Sequence, residues 1–215
     1  MQSPFKFLDS YTKEDRHLFF GRDAEIDELY HKIFESKILL VYGISGTGKT
    51  SLINCGLANK FNDSDWLPIN IRRANNINDN WRKQTEKKVA TNIKDKDLKK
   101  SVKSLYLDYF KPIYFIFDQF EELFIQGSKA EILKFVENLK SVLSLNLPIS
   151  IIIVIREEYL AHISEMESQV PEIFKNHVRI NHISKEKARE TIIKPLIKAE
   201  FKIEQAATDE IINQM

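Results

Sequence analysis

The chain has 215 residues, with 32 Lys and Arg against 31 Asp and Glu, so its formal net charge at pH 7 is +1. A charge this close to zero argues against a protein built for non-specific binding to nucleic acid, because such domains are usually strongly basic. A hydrophobic share of 43% argues against disorder, and the single cysteine, Cys55, excludes an intramolecular disulfide.

The N-terminus reads MQSPFKFLDSYTKEDRHLFF. It lacks the basic start and the continuous apolar stretch of a signal peptide. No run in the chain approaches the roughly 20 apolar residues that a membrane-spanning helix needs. We therefore expect a cytoplasmic protein without a membrane partner.

Short apolar runs alternate with stretches of helical periodicity along most of the chain. Strands that are apolar at nearly every position are buried on both faces, which is typical of a parallel sheet covered by helices. The pattern predicts an α/β fold with a doubly wound parallel sheet. The expected strands are Ile38 to Tyr42, Trp66 to Ile71, Ile113 to Phe117, Ile149 to Ile155 and a weaker Val178 to Ile183. The expected helices are Ala24 to Phe34, Lys49 to Ala58, roughly Asp79 to Lys94, Lys129 to Leu145 and Ser184 to Ala199.

The segment between the second and third strands is polar and rich in lysine, and residues 82–103 carry most of its charge. We interpret it as a solvated helical insertion, with a phosphate-contacting or partner-binding surface as the alternative. After Ser184 the alternation stops and two helices follow. We expect a division into residues 1–183 and 184–215, and we expect the sequence to be the N-terminal part of a larger protein.

The stretch GISGTGKT matches the pattern G-x-x-x-x-G-K-[ST], directly after a predicted strand and directly before a predicted helix. Glycines let such a loop curl so that backbone N–H groups point at phosphate oxygens. Lys49 would reach the β- and γ-phosphates, and the Thr50 hydroxyl would take one Mg²⁺ position. The predicted phosphate-binding residues are Gly43, Ile44, Ser45, Gly46, Thr47, Gly48, Lys49, Thr50 and the adjoining Ser51.

A second group of candidate residues lies in IYFIFDQFEELF. Asp118 follows a predicted buried strand, at the sheet edge where ligands bind in open α/β folds, and would hold Mg²⁺. Glu121 or Glu122 would then polarise an attacking water, with Glu121 slightly favoured. The alternative is that both glutamates are solvated residues opening the next turn.

Arg156 ends the strand of PISIIIVIREEYL. A guanidinium there can approach the γ-phosphate and stabilise charge in the transition state. The alternative is a surface arginine paired with Glu157 or Glu158. Phe19 and Phe20 precede the phosphate-binding loop in the sequence. They could line the adenine side of a nucleotide pocket, or pack as a hydrophobic staple at the start of the next helix.

The stretches FFGRDAEI, GISGTGKTSLINCGL, FIFDQFEELF and IIIVIREEYL together resemble the STAND class of P-loop NTPases, above all the bacterial novel STAND NTPases. The resemblance implies an ASCE or AAA+-like sheet, with an extra strand between the P-loop strand and the Asp118 strand. It makes Arg156 a sensor-1-type arginine and places Gly21 and Arg22 at the edge of the nucleotide pocket. The start of a helical lid is implied around Pro195.

The resemblance also implies a function. Such proteins are switches that bind ADP at rest and form an ATP-bound oligomer when a ligand is recognised, which then activates an effector. The expected cofactors are ATP or ADP and Mg²⁺. The expected partners are further copies of the chain, an unknown trigger for which a phage component is one candidate, and sensor or effector regions outside this segment. Two alternatives stay open: an AAA+-like ATPase acting on nucleic acid, and a nucleotide-binding module without significant turnover.

Overall fold

The structure is a computed structural model that describes residues 5–7, 9–90, 97–201 and 205–213. Its centre is a five-stranded sheet in the order β2-β3-β4-β1-β5, and every pairing between the strands is parallel. The strands are β1 Ile38–Gly43, β2 Leu67–Ile71, β3 Ile113–Phe117, β4 Ile149–Arg156 and β5 His177–Arg179. The predicted doubly wound parallel sheet is confirmed, and β4 lies between β1 and β3 as the resemblance implied.

Helices connect the strands and cover both faces of the sheet. They are α1 Asp23–Lys32, α2 Lys49–Ser51, α3 Ile77–Lys88, α4 Leu98–Tyr109, α5 Glu122–Gln126, α6 Lys129–Leu143, α7 Leu160–Glu167, α8 Lys185–Lys198 and α9 Gln205–Asn213. A 3-10 helix covers Lys13–Leu18, and α2 continues as a π-helix, Leu52–Gly56, and a 3-10 helix, Leu57–Lys60. Of the helices described, none is long and apolar enough to cross a membrane.

Side chains alternate between two hydrophobic clusters because successive residues of a strand point to opposite faces. On one face, Leu40 of β1 packs with residues of α3, α4 and α6. On the other face, Leu39 and Val41 pack with Leu29 of α1 and with the helical stretch after the P-loop. The sheet is therefore buried on both sides, which is why its strands are apolar at nearly every position.

The lysine-rich segment is not the wholly solvated insertion that we predicted. In α3, Trp81 is completely buried, and in α4 both Val102 and Leu105 are completely buried. The spacing of Leu98, Val102 and Leu105 places them on one face of α4, which packs against the core while the lysines face outward. Helix α3 also ends at Lys88, so it is shorter than predicted, and residues 91–94 of the prediction lie outside the described residues.

Several predicted boundaries move by a few residues. Helix α1 ends at Lys32, and Phe34, predicted on its apolar face, is 62% exposed. Strand β5 begins at His177 and ends at Arg179, since the chain turns toward α8 soon afterwards. Ser184 caps α8 as predicted, its hydroxyl accepting a hydrogen bond from the Lys187 amide at 3.3 Å.

Replacing Trp81 with Ala is expected to destabilise the protein strongly. Its ring packs against Phe115, Phe117 and Phe135, with centroid distances of 5.4, 4.9 and 5.8 Å. Removal of a buried aromatic side chain costs about 3–5 kcal/mol. Urea unfolding of the variant should show this loss, whereas Lys87→Ala, on the exposed face of the same helix, should unfold like wild type. Equal stability of the two variants would contradict the packing described for α3.

Candidate active site

A cavity of about 490 Å³ lies at the carboxyl edge of the sheet, beside the ends of β1, β3 and β4. Parallel strands bring their carboxyl ends to one edge, so residues far apart in sequence meet there. In the register of β1 and β4, Gly43 pairs with Arg156. The predicted site residues that line the cavity are Ser45, Gly46, Gly48, Lys49, Thr50, Ser51, Asp118, Glu121 and Arg156.

The loop after β1 has the conformation that its glycines permit. Gly46 and Gly48 both adopt a φ of +81°, in the left-handed region that other residues rarely enter. Gly48 is the N-cap of the helical stretch that follows, and its carbonyl accepts from the Leu52 amide at 2.9 Å. The first amides of this stretch lie beside the cavity, where a helix N-terminus favours an anion.

Lys49 bends back over its own loop. Its Nζ donates to the carbonyl oxygens of Gly43 at 2.7 Å and Ile44 at 2.8 Å. Burial lowers the pKa of Lys49, partly opposed by the negative charge of Glu121. These two carbonyls explain why Gly43 and Ile44, which do not line the cavity, still position the lysine.

Thr50 and Asp118 meet across the cavity. The Thr50 hydroxyl donates to Asp118 Oδ1 at 2.9 Å, and Asp118 is only 7% exposed. A hydroxyl and a carboxylate this close are hard oxygen ligands of the kind that Mg²⁺ takes, with phosphate and water oxygens completing the shell. These residues therefore fit the metal. Within the described ranges there is no cluster of three or more His, Cys, Asp or Glu side chains that could hold a metal ion.

The two glutamates that the sequence left open differ in position. Glu121 lines the cavity and is 5% exposed, whereas Glu122 lies outside the lining and begins α5. The turn between Asp118 and Glu121 passes through Gln119, whose φ is +56°, and this directs Glu121 toward β4. Geometry therefore places Glu121, and not Glu122, beside the phosphate-binding loop.

Arg156 is paired, but not with the residues that we named as an alternative. Its Nε lies 3.1 Å from Glu121 Oε1, and its backbone amide donates to Glu121 Oε2 at 3.3 Å. Glu157 pairs instead with Arg179. The interpretation of Arg156 as an arginine paired with Glu157 or Glu158 was wrong, and the guanidinium lies in the cavity wall.

Phe20, Gly21 and Arg22 are not among the residues of the cavity lining. Phe20 borders a separate cavity of about 240 Å³ near Cys55. Gly21 packs so closely on α8 that a Cβ there would lie 2.8 Å from the Thr191 hydroxyl. The Arg22 guanidinium is buried and donates to the carbonyl oxygen of Thr47 at 3.0 Å. Arg22 thus contacts the phosphate-binding loop, and a role of Phe20, Gly21 and Arg22 in holding adenine stays a prediction.

Four polar residues of the cavity lining were not predicted from the sequence: Asp9, Ser10, Arg72 and Gln119. The signal for Arg72 was present, since it directly follows the second predicted strand and so must lie at the same sheet edge as Asp118. Its Nη2 lies 2.7 Å from Asp118 Oδ2. Asp9 and Ser10 belong to the N-terminal segment, which the Tyr11 amide ties to the Ser51 hydroxyl at 3.1 Å.

Another polar cavity, of about 520 Å³, lies where the first turns of α3, α4 and α6 converge. The side chains of the cap residues at these helix starts accept hydrogen bonds from amides of their own helices. The Asn76 side chain accepts from the amides of Asn78 and Asp79. Ser128 likewise accepts from the Glu131 amide, and Glu131 pairs with Arg73 at 2.9 Å. None of the predicted site residues lines this cavity, so we assign the chemistry to the sheet edge.

The strand order, the loop GISGTGKT and the carboxylates at the end of β3 define a P-loop NTPase with an AAA+-like α/β core. The chain belongs to the family described as novel STAND NTPase 1, whose family model matches residues 4–215. A search of curated proteins gave no match.

Solved structures share this fold at low sequence identity. The Walker-type ATPase PABY2304 of Pyrococcus abyssi has a TM-score of 0.69 at 16% identity, covering 98% of this chain and 67% of that one. DnaA from Aquifex aeolicus, bound to AMPPCP, has a TM-score of 0.63 at 16% identity, covering 98% and 62%. The Aeropyrum pernix ORC1 protein, in complex with DNA, has a TM-score of 0.55 at 12% identity, covering 86% and 52%. The chain thus spans about half to two thirds of the length of these three proteins.

Proposed function

We propose that this protein is a STAND signalling switch that binds ATP with Mg²⁺, hydrolyses it slowly, and uses the bound nucleotide to control its own assembly. The observation that carries this proposal is a continuous chain of polar contacts from the phosphate-binding loop to helix α8. In a switch, such contacts couple the state of the phosphate loop to the helix that follows the sheet.

The chain of contacts runs through Arg22 and Glu25. Arg22 donates from Nη2 to the Thr47 carbonyl at 3.0 Å and from Nη1 to Glu25 Oε1 at 2.8 Å. Glu25 Oε2 lies 3.3 Å from Lys187 Nζ in α8. Burial alone would raise the pKa of Glu25, but hydrogen bonds from Arg22 and Lys187 outweigh it and hold that pKa below its ordinary value. Glu25 is therefore charged at neutral pH and can hold both cations.

The phosphate-binding loop, Asp118, Glu121 and Arg156 have the following roles in the proposal. Backbone amides of the loop and Lys49 bind the β- and γ-phosphates, and Thr50 and Asp118 hold Mg²⁺, which would neutralise phosphate charge. Glu121 orients and polarises the attacking water, since it is a second buried carboxylate in the cavity lining, beside the one that would hold the metal. Arg156 stabilises negative charge on the transferring phosphoryl group.

The wider function follows by analogy with the family rather than from this segment. We propose that ATP-bound copies of the chain form an oligomer, that a ligand still to be identified triggers the exchange, and that effector or sensor regions lie outside these residues. Defence against phage, with a phage component as the trigger, is the biological setting that we favour. A cytoplasmic location fits the single, buried cysteine Cys55.

The two alternatives receive less support. A binding module without turnover would not need a buried glutamate facing the phosphate loop. An ATPase acting on nucleic acid shares the fold of the DnaA and ORC1 structures, but a net charge of +1 gives little attraction for a phosphate backbone.

The proposal is tested by sedimentation of the full chain with ADP and with a non-hydrolysable ATP analogue. Wild type should be larger with the ATP analogue than with ADP. Arg22→Ala should bind nucleotide but give the same mass with both, because the loop is no longer tied to α8. Arg82→Ala, which removes an arginine far from the loop, should behave like wild type. A wild-type mass independent of nucleotide, or hydrolysis raised many-fold by DNA alone, would contradict the switch.

A further inference from the structure

Both oxygens of the Asp118 carboxylate are engaged. Oδ1 accepts from the Thr50 hydroxyl at 2.9 Å. Oδ2 accepts from two nitrogens of Arg72, Nη2 at 2.7 Å and Nε at 3.1 Å. Asp118 is almost fully buried, and a cation that enters the cavity meets a carboxylate that already accepts three hydrogen bonds. Any metal ion that uses this carboxylate must compete with the guanidinium.

The Arg72 side chain can leave Asp118 without disturbing the sheet. Its backbone carbonyl accepts from Asn80 Nδ2 at 2.7 Å. The next residue, Arg73, pairs with Glu131 at 2.9 Å, and both side chains of that pair are at least nine-tenths buried. The Arg72 side chain itself is 54% exposed. The backbone of Arg72 is thus held in place while its guanidinium is half exposed, so the side chain has room to move toward solvent.

We propose that Arg72 is a positioning residue that competes with Mg²⁺ for Asp118 and so sets the metal dependence of nucleotide binding. The inference rests on the proposed function, since it concerns the same cavity. A dication held at Asp118, directly or through a water, would lie beside the guanidinium, and the two like charges repel at such distances. Arg72 therefore withdraws when the metal binds, and the Arg72–Asp118 pair opposes binding of the metal with its nucleotide.

This role is separate from the chemistry at Glu121. Arg72 follows β2, whereas the Glu121–Arg156 pair involves the end of β4 on the other side of β3. Arg72 is paired with Asp118 and not with Glu121. Removing Arg72 should therefore change the metal dependence of binding, which can be measured without any hydrolysis.

The test is the dissociation constant of fluorescently labelled ADP for the full chain, measured in Mg²⁺ and again in EDTA. In Arg72→Ala the ratio of the EDTA value to the Mg²⁺ value should rise, because the metal no longer competes with the guanidinium. The rise should be about two- to fivefold, the size expected for a half-exposed ion pair. Arg72→Lys, which keeps the charge, should stay closer to wild type. The matched control is Arg179→Ala: Arg179 is 56% exposed and binds Glu157 through two nitrogens, outside the cavity.

An unchanged or smaller ratio in Arg72→Ala would overturn the inference. So would an equal loss of affinity in both conditions, because Arg72 would then simply bind phosphate. A rise of the same size in Arg179→Ala would also overturn it, because the effect would then come from the loss of any positive charge and not from the Arg72–Asp118 pair. If Arg72→Ala does not fold, Arg72→Gln is read in the same way. If wild type binds no labelled ADP in either condition, both the proposed function and this inference are contradicted. If wild type binds ADP but the ratio is unchanged in Arg72→Ala, only this inference is contradicted.

Discussion

Replacing Lys49 with Ala should abolish nucleotide hydrolysis and weaken nucleotide binding at least about tenfold. The Lys49 ammonium is held over the phosphate-binding loop by two carbonyl oxygens, at 2.7 and 2.8 Å, and no other lysine lines the cavity among the described residues. Removing one donor that stabilises transition-state charge costs about 10²–10³ in kcat. Calorimetric titration with ADP and a steady-state phosphate-release assay would measure the two effects.

Lys60→Ala is the matched control for this prediction. Lys60 ends the same helical stretch that Lys49 begins, and its ammonium pairs with Asp27 on the surface. That variant should bind and hydrolyse nucleotide like wild type. Intact nucleotide binding by Lys49→Ala would contradict the assignment of the loop GISGTGKT as the phosphate site.

Glu121→Gln should lower hydrolysis by about 10²–10⁴, the usual contribution of a general base, while nucleotide binding persists. Glutamine keeps the size of the side chain but cannot take a proton from water. It also weakens the pairing with Arg156 at 3.1 Å, so both polar groups at this end of the cavity are affected. Single-turnover hydrolysis with enzyme in excess would separate the chemical step from nucleotide release.

Glu122→Gln provides the comparison within the same turn. Glu122 is adjacent in sequence but outside the cavity lining, so its replacement should change hydrolysis less than about threefold, as expected for a charge away from the chemistry. If Glu122→Gln hydrolyses ATP more slowly than Glu121→Gln, the assignment of Glu121 as the residue that polarises the attacking water is contradicted.

The strands and the phosphate loop could be predicted because their signals are local. Strands β1 and β3 are unbroken apolar runs, and β4 is one from Ile151 to Ile155. Burial on both faces of a parallel sheet favours such runs. The loop is likewise defined by its own glycines and lysine. Helix α4 was missed although Leu98, Val102 and Leu105 have helical spacing, because the lysines between them made the segment read as solvated.

The pairings inside the cavity could not be predicted in the same way. Sequence places Asp118, Arg156 and, by the same logic, Arg72 at one sheet edge, but the partner of each depends on strand order. Because β3 lies between β2 and β4, its carboxylates receive an arginine from each side. The choice of Glu121 over Glu122 depends on the positive φ of Gln119. A glutamine in the sequence does not predict a positive φ.

A structure of Glu121→Gln with ATP and Mg²⁺ would show where the nucleotide and the metal bind, because slow hydrolysis would preserve the bound ATP. We expect phosphates against the amides of residues 45–50, with Lys49 on the β- and γ-phosphates and the metal at Thr50 and Asp118. ATP bound elsewhere, for instance in the polar cavity where α3, α4 and α6 begin, would contradict this expectation.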